Sequence, residues 1–360
     1  MGLSAGPVPA RVGAHVKAGL LDLVENAVAA GWSRRRAARL LGLDQDRFTR
    51  WGIRRAVGRL DDDIAGGTPV HGILPGERDA IIWLHERWGS IDKSHRKLAH
   101  RGSRLDLVHV SESTVWRVLR AENLLLPGRS PREPQVRAPW PDWVAWKPNT
   151  IWCYDFTHFT RARRVAVAVL DIVSRKWLAC LVSAEETSTQ IEVCFTDALA
   201  AEGLDTLLDT ALLARLRSGR ASVDDLDDAQ LPVLLAMSDN GPQMRSHTTR
   251  EFMAACAIMQ RFGRPGTPTD QAWVESLFGH VKGEWPYLEK IRDPAQLALD
   301  LEAVRVEYNT VRLHAGIGYV TPNDEHEGRG DAIRQRRADG LAHARQKRIN
   351  YRRTQQENQP

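Results

Sequence analysis

The chain has 360 residues, of which 42% are apolar and 26% charged, a composition that suits two or three globular domains with real cores and excludes fibrous or wholly disordered classes. No run of 18 apolar residues occurs and residues 1–19 lack the apolar centre of a signal peptide, so the expected protein has no membrane span and is cytoplasmic. The net charge is +5, and its distribution says more than its sum. Residues 34–59 hold nine arginines against two acids, and residues 331–360 hold eight Lys/Arg against three acids. Residues 202–228 hold seven acids against three arginines. Basic ends around an acidic middle suggest polyanion contacts at the ends.

The first predicted unit covers residues 1–60. Leu20, Leu21, Val24, Ala27 and Val28 recur at helical spacing. Ser33 can cap a second helix that ends at Gly42, and a third helix follows from Asp44 to Arg54. Ala38, Gly42, Phe48 and Trp51 sit where a helix-turn-helix needs a small residue, a turn and core contacts. Arg47 and Arg50 then lie on the would-be recognition helix; the alternative is a three-helix bundle that binds nothing. A linker with three glycines and two prolines spans residues 61–75.

A second unit, residues 76–126, repeats the pattern. Glu77–Trp88 is amphipathic, Asp92 or Ser94 can start a helix through His100, and residues 110–122 read as a capped recognition helix bearing Ser113, Thr114 and Arg117. Residues 101–108 are long for a bare turn. The next linker, residues 127–148, contains six prolines together with Trp140, Trp143 and Trp146. The rings are expected to pack on the following domain, with base stacking as the alternative.

From Thr150 the pattern changes to strands. Residues 151–159, 165–173 and 177–182 form an expected antiparallel meander, followed by a helix over 189–201 and a short buried strand at 233–237. Helices are predicted at 251–257, 272–282 and 294–308, giving a mixed α/β order. The cysteines Cys153, Cys180, Cys194 and Cys256 are scattered, and no histidine sits at zinc-finger spacing from them.

Three acids stand out chemically. Asp155 lies mid-strand, where a carboxylate is costly unless paired or ligating metal. Asp239 directly follows a buried strand, in Ser238-Asp239-Asn240-Gly241-Pro242. Glu275 lies on a helix, with Lys282 two turns further along the same face. Taken singly, each has an ordinary reading as a turn or solvated residue.

Together they resemble a known family. Ile151-Trp152-Cys153-Tyr154-Asp155-Phe156-Thr157, then Ser238-Asp239-Asn240-Gly241, then Glu275 after 35 intervening residues, look like the Asp-Asp-35-Glu core of retroviral integrases and bacterial insertion-sequence transposases. The turn at residues 171–175 fits, as do Tyr308-Asn309-Thr310-Val311-Arg312-Leu313-His314 and Gly318-Tyr319-Val320-Thr321-Pro322. The resemblance covers about residues 140–322, within an expected catalytic domain at 136–325 that is followed by a basic tail at 326–360. It implies a ribonuclease H-like fold, a mixed five-stranded sheet with flanking helices behind the all-α DNA-binding units. It also implies catalysis by Asp155, Asp239 and Glu275, which would hold two Mg²⁺ ions with Mn²⁺ as a substitute. The expected partner is double-stranded DNA, both transposon ends and target, bound by a homo-oligomer in the nucleoid. Lys282 would hold an end phosphate, and Asn240 and Gln271 would position DNA or else serve as turn and cap residues; Asp270 reads as an N-cap. Two departures stand beside the resemblance. The gap between Asp155 and Asp239 holds 83 residues, long for the family, with the excess in an acidic insert at about 202–232. The histidine-and-cysteine zinc module of the viral integrases is absent.

Overall fold

The computed structural model describes residues 8–9, 11–62, 69–125, 140–226, 232–263 and 272–357. The chain divides into two units, Met1–Gly72 and Ile73–Pro360. The second trihelical element, the sheet and the basic tail therefore belong to one unit, and the first trihelical element to the other.

The first unit contains α1 (Ala14–Ala29), α2 (Arg34–Leu40) and α3 (Gln45–Ala56). Ser33 accepts the amide of Arg36 and Asp44 accepts that of Asp46, so both short helices begin on side-chain caps. Gly42 turns the chain at φ +67°, a conformation glycine adopts without strain. Ala38, Leu43, Phe48 and Trp51 close a core on Leu20, Leu21 and Val24. Val28, expected in that stripe, is exposed, because α1 ends one residue later. Arg47 also differs from expectation. Its guanidinium donates to the carbonyls of Val8, at 3.0 Å, and Pro9, and lies over the Trp51 ring. The residue placed on the reading face is thus engaged with its own chain, whereas Arg50 is exposed.

The second unit opens with α4 (Pro75–Asp92), α5 (His95–Arg104) and α6 (Glu112–Ala121), again three helices, with Ser94 and Ser111 as caps. A Cβ at Gly102 would lie 2.7 Å from the Leu84 side chain and 2.9 Å from that of Val108, so this glycine allows α5 to seat on α4. Because α5 runs on to Arg104, the turn into α6 is shorter than the sequence suggested.

The sheet contains β1 (Ile151–Phe159), β2 (Arg164–Asp171), β3 (Trp177–Ser183), β4 (Leu234–Ser238) and β5 (Ile258–Phe262), in the spatial order β3-β2-β1-β4-β5. β1, β2 and β3 form the antiparallel meander, and β4 and β5 add in parallel beside β1. The sheet is therefore mixed, with the three antiparallel strands on one side and the two parallel strands on the other. Between β3 and β5 the chain forms α7 (Ser188–Ala201), α8 (Thr210–Arg217) and α9 (His247–Ala255). Alternation along β1 sends Trp152 and Tyr154 into a core with α7 and α9. Ile151, Cys153 and Phe159 enter a second core with α10 (Ala272–Glu284) and α11 (Pro294–Thr310). Trp140 and Trp143 pack against that second core, and the Trp140 ring lies 5.7 Å from Trp273.

The acidic insert contributes α8, which packs on α9, but its first residue is no loop residue. Glu202 is buried and accepts from His326 Nε2 at 2.6 Å, Lys176 Nζ at 2.7 Å and Asn149 Nδ2 at 3.0 Å. His326 lies on α12 (Pro322–His326), and its other ring nitrogen lies 2.9 Å from Ser174 Oγ. Asp171, expected to be a simple turn residue, is fully buried. It accepts from Asn149 N at 2.7 Å, Ser174 N at 2.6 Å and Ser174 Oγ at 2.7 Å.

The tail is one helix, α13 (Gly330–Glu357). Arg334, Arg337 and Arg348 point inward and donate to the carbonyls of Ile317, Ala99 and His109, and Arg348 also pairs with Glu77 at 2.8 Å. Part of the basic tail therefore straps α13 onto the second trihelical element. Among the described residues no helix is long and apolar enough to cross a membrane, and all four cysteines are free.

Candidate active site

β1 and β4 run side by side in parallel, with Cys153 opposite Met237. Two residues further along each strand direction stand Asp155 and Asp239, so adjacent strands deliver both carboxylates to the same edge. Asp239 is the first residue past β4. Its Oδ1 accepts the Gly241 amide at 2.9 Å, and a Cβ on Gly241 would lie 2.9 Å from that same oxygen. The glycine therefore lets the carboxylate fold over its own turn. Asp155 Oδ1 accepts the Phe156 amide at 2.8 Å. α10 packs against β1 and carries an exposed Glu275 in its first turn.

The charges of Asp239 and Glu275 reach Asp155. Burial pushes the Asp155 carboxyl up to about 7, and the negative charges of Asp239, Glu275 and Glu186 push in the same direction. The charges that bear on Asp155 are thus all negative. The donor set of the site, carboxylate oxygens alone, is that of a hard divalent cation. Among the described residues no three acidic, histidine or cysteine side chains are gathered closely enough to ligate one ion.

The remaining sequence candidates divide. Lys282 lies two turns beyond Glu275; its ammonium donates to the His158 carbonyl at 2.8 Å and pairs with Glu289 at 3.0 Å. It stands beside the strand end but is held by protein partners. Asn240 donates to the Gly263 carbonyl at 2.6 Å, tying the ends of β4 and β5. Gln271 and Asp270 lie outside the described residues. On α6, Ser113 and Arg117 are exposed, and Arg117 donates to Thr114 Oγ1 at 3.1 Å. A groove of about 1240 Å³ runs between α5 and α13. Six Lys/Arg side chains line it against four carboxylates, Arg336 and Lys347 among them. Sequence reading missed Glu186 beside Asp155, because it follows β3 and only the closed sheet brings it near.

Comparison with known proteins finds similar sequences. The sequence matches the integrase core domain family over residues 145–268 and again over 257–322, a stretch that includes all three acids. Residues 145–322 are thus similar to the integrase core domain. It is 24% identical over 180 residues to the transposase of insertion element IS904 from Lactococcus lactis, covering 49% of this chain and 61% of that relative. It is 22% identical over 330 residues to transposase InsD of IS2 from Escherichia coli, covering 89% of this chain and 98% of the relative. Among solved structures, a simian T-cell lymphotropic virus intasome matches at 19% identity and TM-score 0.39 over 62% of this chain and 69% of that one. The HTLV-2 integrase catalytic core with magnesium matches at 20% identity and TM-score 0.33 over 50% and 97%.

Proposed function

We propose that this protein is an insertion-sequence transposase that binds transposon ends and catalyses DNA cleavage and strand transfer. The reading is supported by the positions of Asp155 and Asp239 just past the paired residues of two neighbouring strands and by the charges of Asp239 and Glu275 that bear on Asp155, all within the matched region. These three carboxylates would hold two Mg²⁺ ions, or Mn²⁺, which when bound supply charge neutralisation at the attacked phosphodiester and its leaving oxygen. The chain itself orients the acids. The parallel pairing of β1 with β4 ends two residues before Asp155 and Asp239, the Gly241 amide holds the Asp239 carboxylate, and α10 carries Glu275 in its first turn. Lys282 is positioned to exchange its contact with Glu289 for an end phosphate.

Recognition falls to the helix-turn-helix units. Ser113, Thr114 and Arg117 of α6 read base edges and Arg50 of α3 contacts the other trihelical site's DNA, while Arg336 and Lys347 along the groove contact the sugar-phosphate backbone. Incubating the protein with labelled end DNA and Mg²⁺ tests the whole reading. Binding, nicking and joined products are expected. Binding without nicking would identify an inert DNA-binding relative, and nicking without joining a nuclease.

A further inference from the structure

The two ends of α10 carry acids of opposite circumstance. Glu275 faces carboxylates, whereas Glu284, the last residue of the helix, faces cations. Arg312 grips it with two bonds, Nε at 2.8 Å and Nη2 at 2.9 Å, and His280 Nδ1 lies 3.2 Å away. Lys97 of α5 reaches it at 4.0 Å. One turn along α5, Arg101 is buried, grips Asp92 at 3.0 and 3.1 Å, and donates to the Val311 carbonyl at 2.8 Å, beside Arg312. The foot of the helix that carries Glu275 is thereby fastened to the second trihelical element.

The Lys97 charge is poorly explained by stability. Burial first, then Arg312, pushes its ammonium down from the usual range to about 8. The groups facing it are Glu284 and His280 from α10, Arg312 and His314 beyond α11, Arg101 on its own helix and Asp92 from α4. Both histidines are pushed toward the neutral form by burial. A lysine depressed in this way binds its proton less readily in the folded chain than in the unfolded chain, so the charged form weakens the fold at neutral pH and the deficit closes as pH rises from about 8 toward 10.5.

We propose that Lys97 and Glu284 are positioning residues: through their contact the second trihelical element sets the orientation of α10 and so of Glu275. The proposal rests on the reading of Glu275 as catalytic. Small displacements of a reacting group from remote changes are costly to rate, so the contact should matter to turnover more than to binding.

The test compares full-length Lys97→Met, Lys97→Arg and Glu275→Gln with the unmodified protein, using end DNA and Mg²⁺. Lys97→Met should bind ends within about threefold of the unmodified protein and nick pre-bound ends about tenfold more slowly. Its thermal midpoint should be equal or higher, which a purely structural role would not give. Lys97→Arg should restore nicking. The rate of the unmodified protein relative to Lys97→Arg should fall from about pH 7 to about pH 9, as Lys97 loses its proton. Unmodified nicking in Lys97→Met, a flat pH ratio, or a loss of nicking that tracks a lowered thermal midpoint would each overturn the proposal. If Glu275→Gln is inactive while Lys97→Met is normal, only the positioning role fails. If Glu275→Gln nicks normally, the catalytic reading fails and takes this inference with it.

Discussion

Asp155 and Glu284 are both carboxylates withdrawn from water, yet their surroundings drive them apart. Asp155 meets burial and three further acids, and is pushed up to about 7. Glu284 meets burial too, but His280, Arg312 and Lys97 outweigh it and hold the carboxyl well below its usual range. Burial alone therefore decides little; the sign of the neighbouring charge decides whether a buried acid is an unmet demand for a cation or one already met. The first arrangement is chemically open and the second is structural, and they sit on or against the same helix.

The largest effect that could break this contrast is on chemistry. Replacing Asp155, Asp239 or Glu275 with Ala removes an oxygen donor from the open site. Metal stabilisation of the transition state is worth several kcal/mol, so nicking should fall roughly a thousandfold or more. End binding should persist or tighten, because one negative charge near the phosphates is gone. Mg²⁺-dependent nicking and end binding, assayed in parallel on folded variants, check this; rates near the unmodified protein in any of the three would remove that residue from the site.

Arg312→Ala attacks the closed arrangement instead. It leaves Glu284 buried with only His280 and Lys97 for company, and breaking one partner of a buried pair costs about 3 kcal/mol or more. Denaturant unfolding at neutral pH should show that loss. A change under about 0.5 kcal/mol, the usual range of surface substitutions, would mean that Arg312 is not what satisfies Glu284.

The two arrangements were unequally legible in sequence. Asp155, Asp239 and Glu275 could be proposed because the spacing of a strand, a strand-end turn and a helix start is written locally, and each motif has its own flanking signature. Glu284, Lys97 and Arg312 carry no such spacing; α5 and α10 lie far apart in the chain and meet only through the fold. The same holds for Glu202 and His326, whose buried pair joins the start of the acidic insert to α12. β5 escaped notice because Ile258–Phe262 is short and follows Ala257 at φ +53°, so neither length nor alternation marks it. Arg47 was assigned to the reading face by helical position alone, which cannot reveal that Val8 and Pro9 return to meet it.

A subtler test uses the pH dependence of the open site. With its carboxyl raised from 3.8 to about 7, Asp155 stays protonated in the folded protein after the unfolded chain has lost that proton. Its favourable contribution is complete below about pH 4 and is lost as pH rises through about 7. Asp155→Asn should therefore stabilise the metal-free protein above about pH 7, by roughly 1–3 kcal/mol. The advantage should shrink to nothing near pH 4. Thermal melts in a chelator across that range measure it, and a variant less stable than its parent at about pH 8 would show that the Asp155 charge is already compensated.

The smallest expected effect separates the two faces of α13. Arg348 is buried, pairs with Glu77 and donates to the His109 carbonyl, so it belongs with the closed arrangements. Arg336 and Lys347 are exposed along the groove and belong with the open ones. Arg348→Ala should lower the thermal midpoint by several degrees, because its loss leaves Glu77 without this partner. The double variant Arg336→Ala, Lys347→Ala should leave the midpoint within about a degree, since surface substitutions rarely exceed ~0.5 kcal/mol. Its signature should lie in DNA binding. Every cation withdrawn from a phosphate lowers the slope of log affinity against log salt by nearly one, so the double variant should bind ends with a slope shallower by about 1–2, uniformly across end and unrelated sequences. An unchanged slope would remove the groove from the DNA surface and leave α13 as a strap alone.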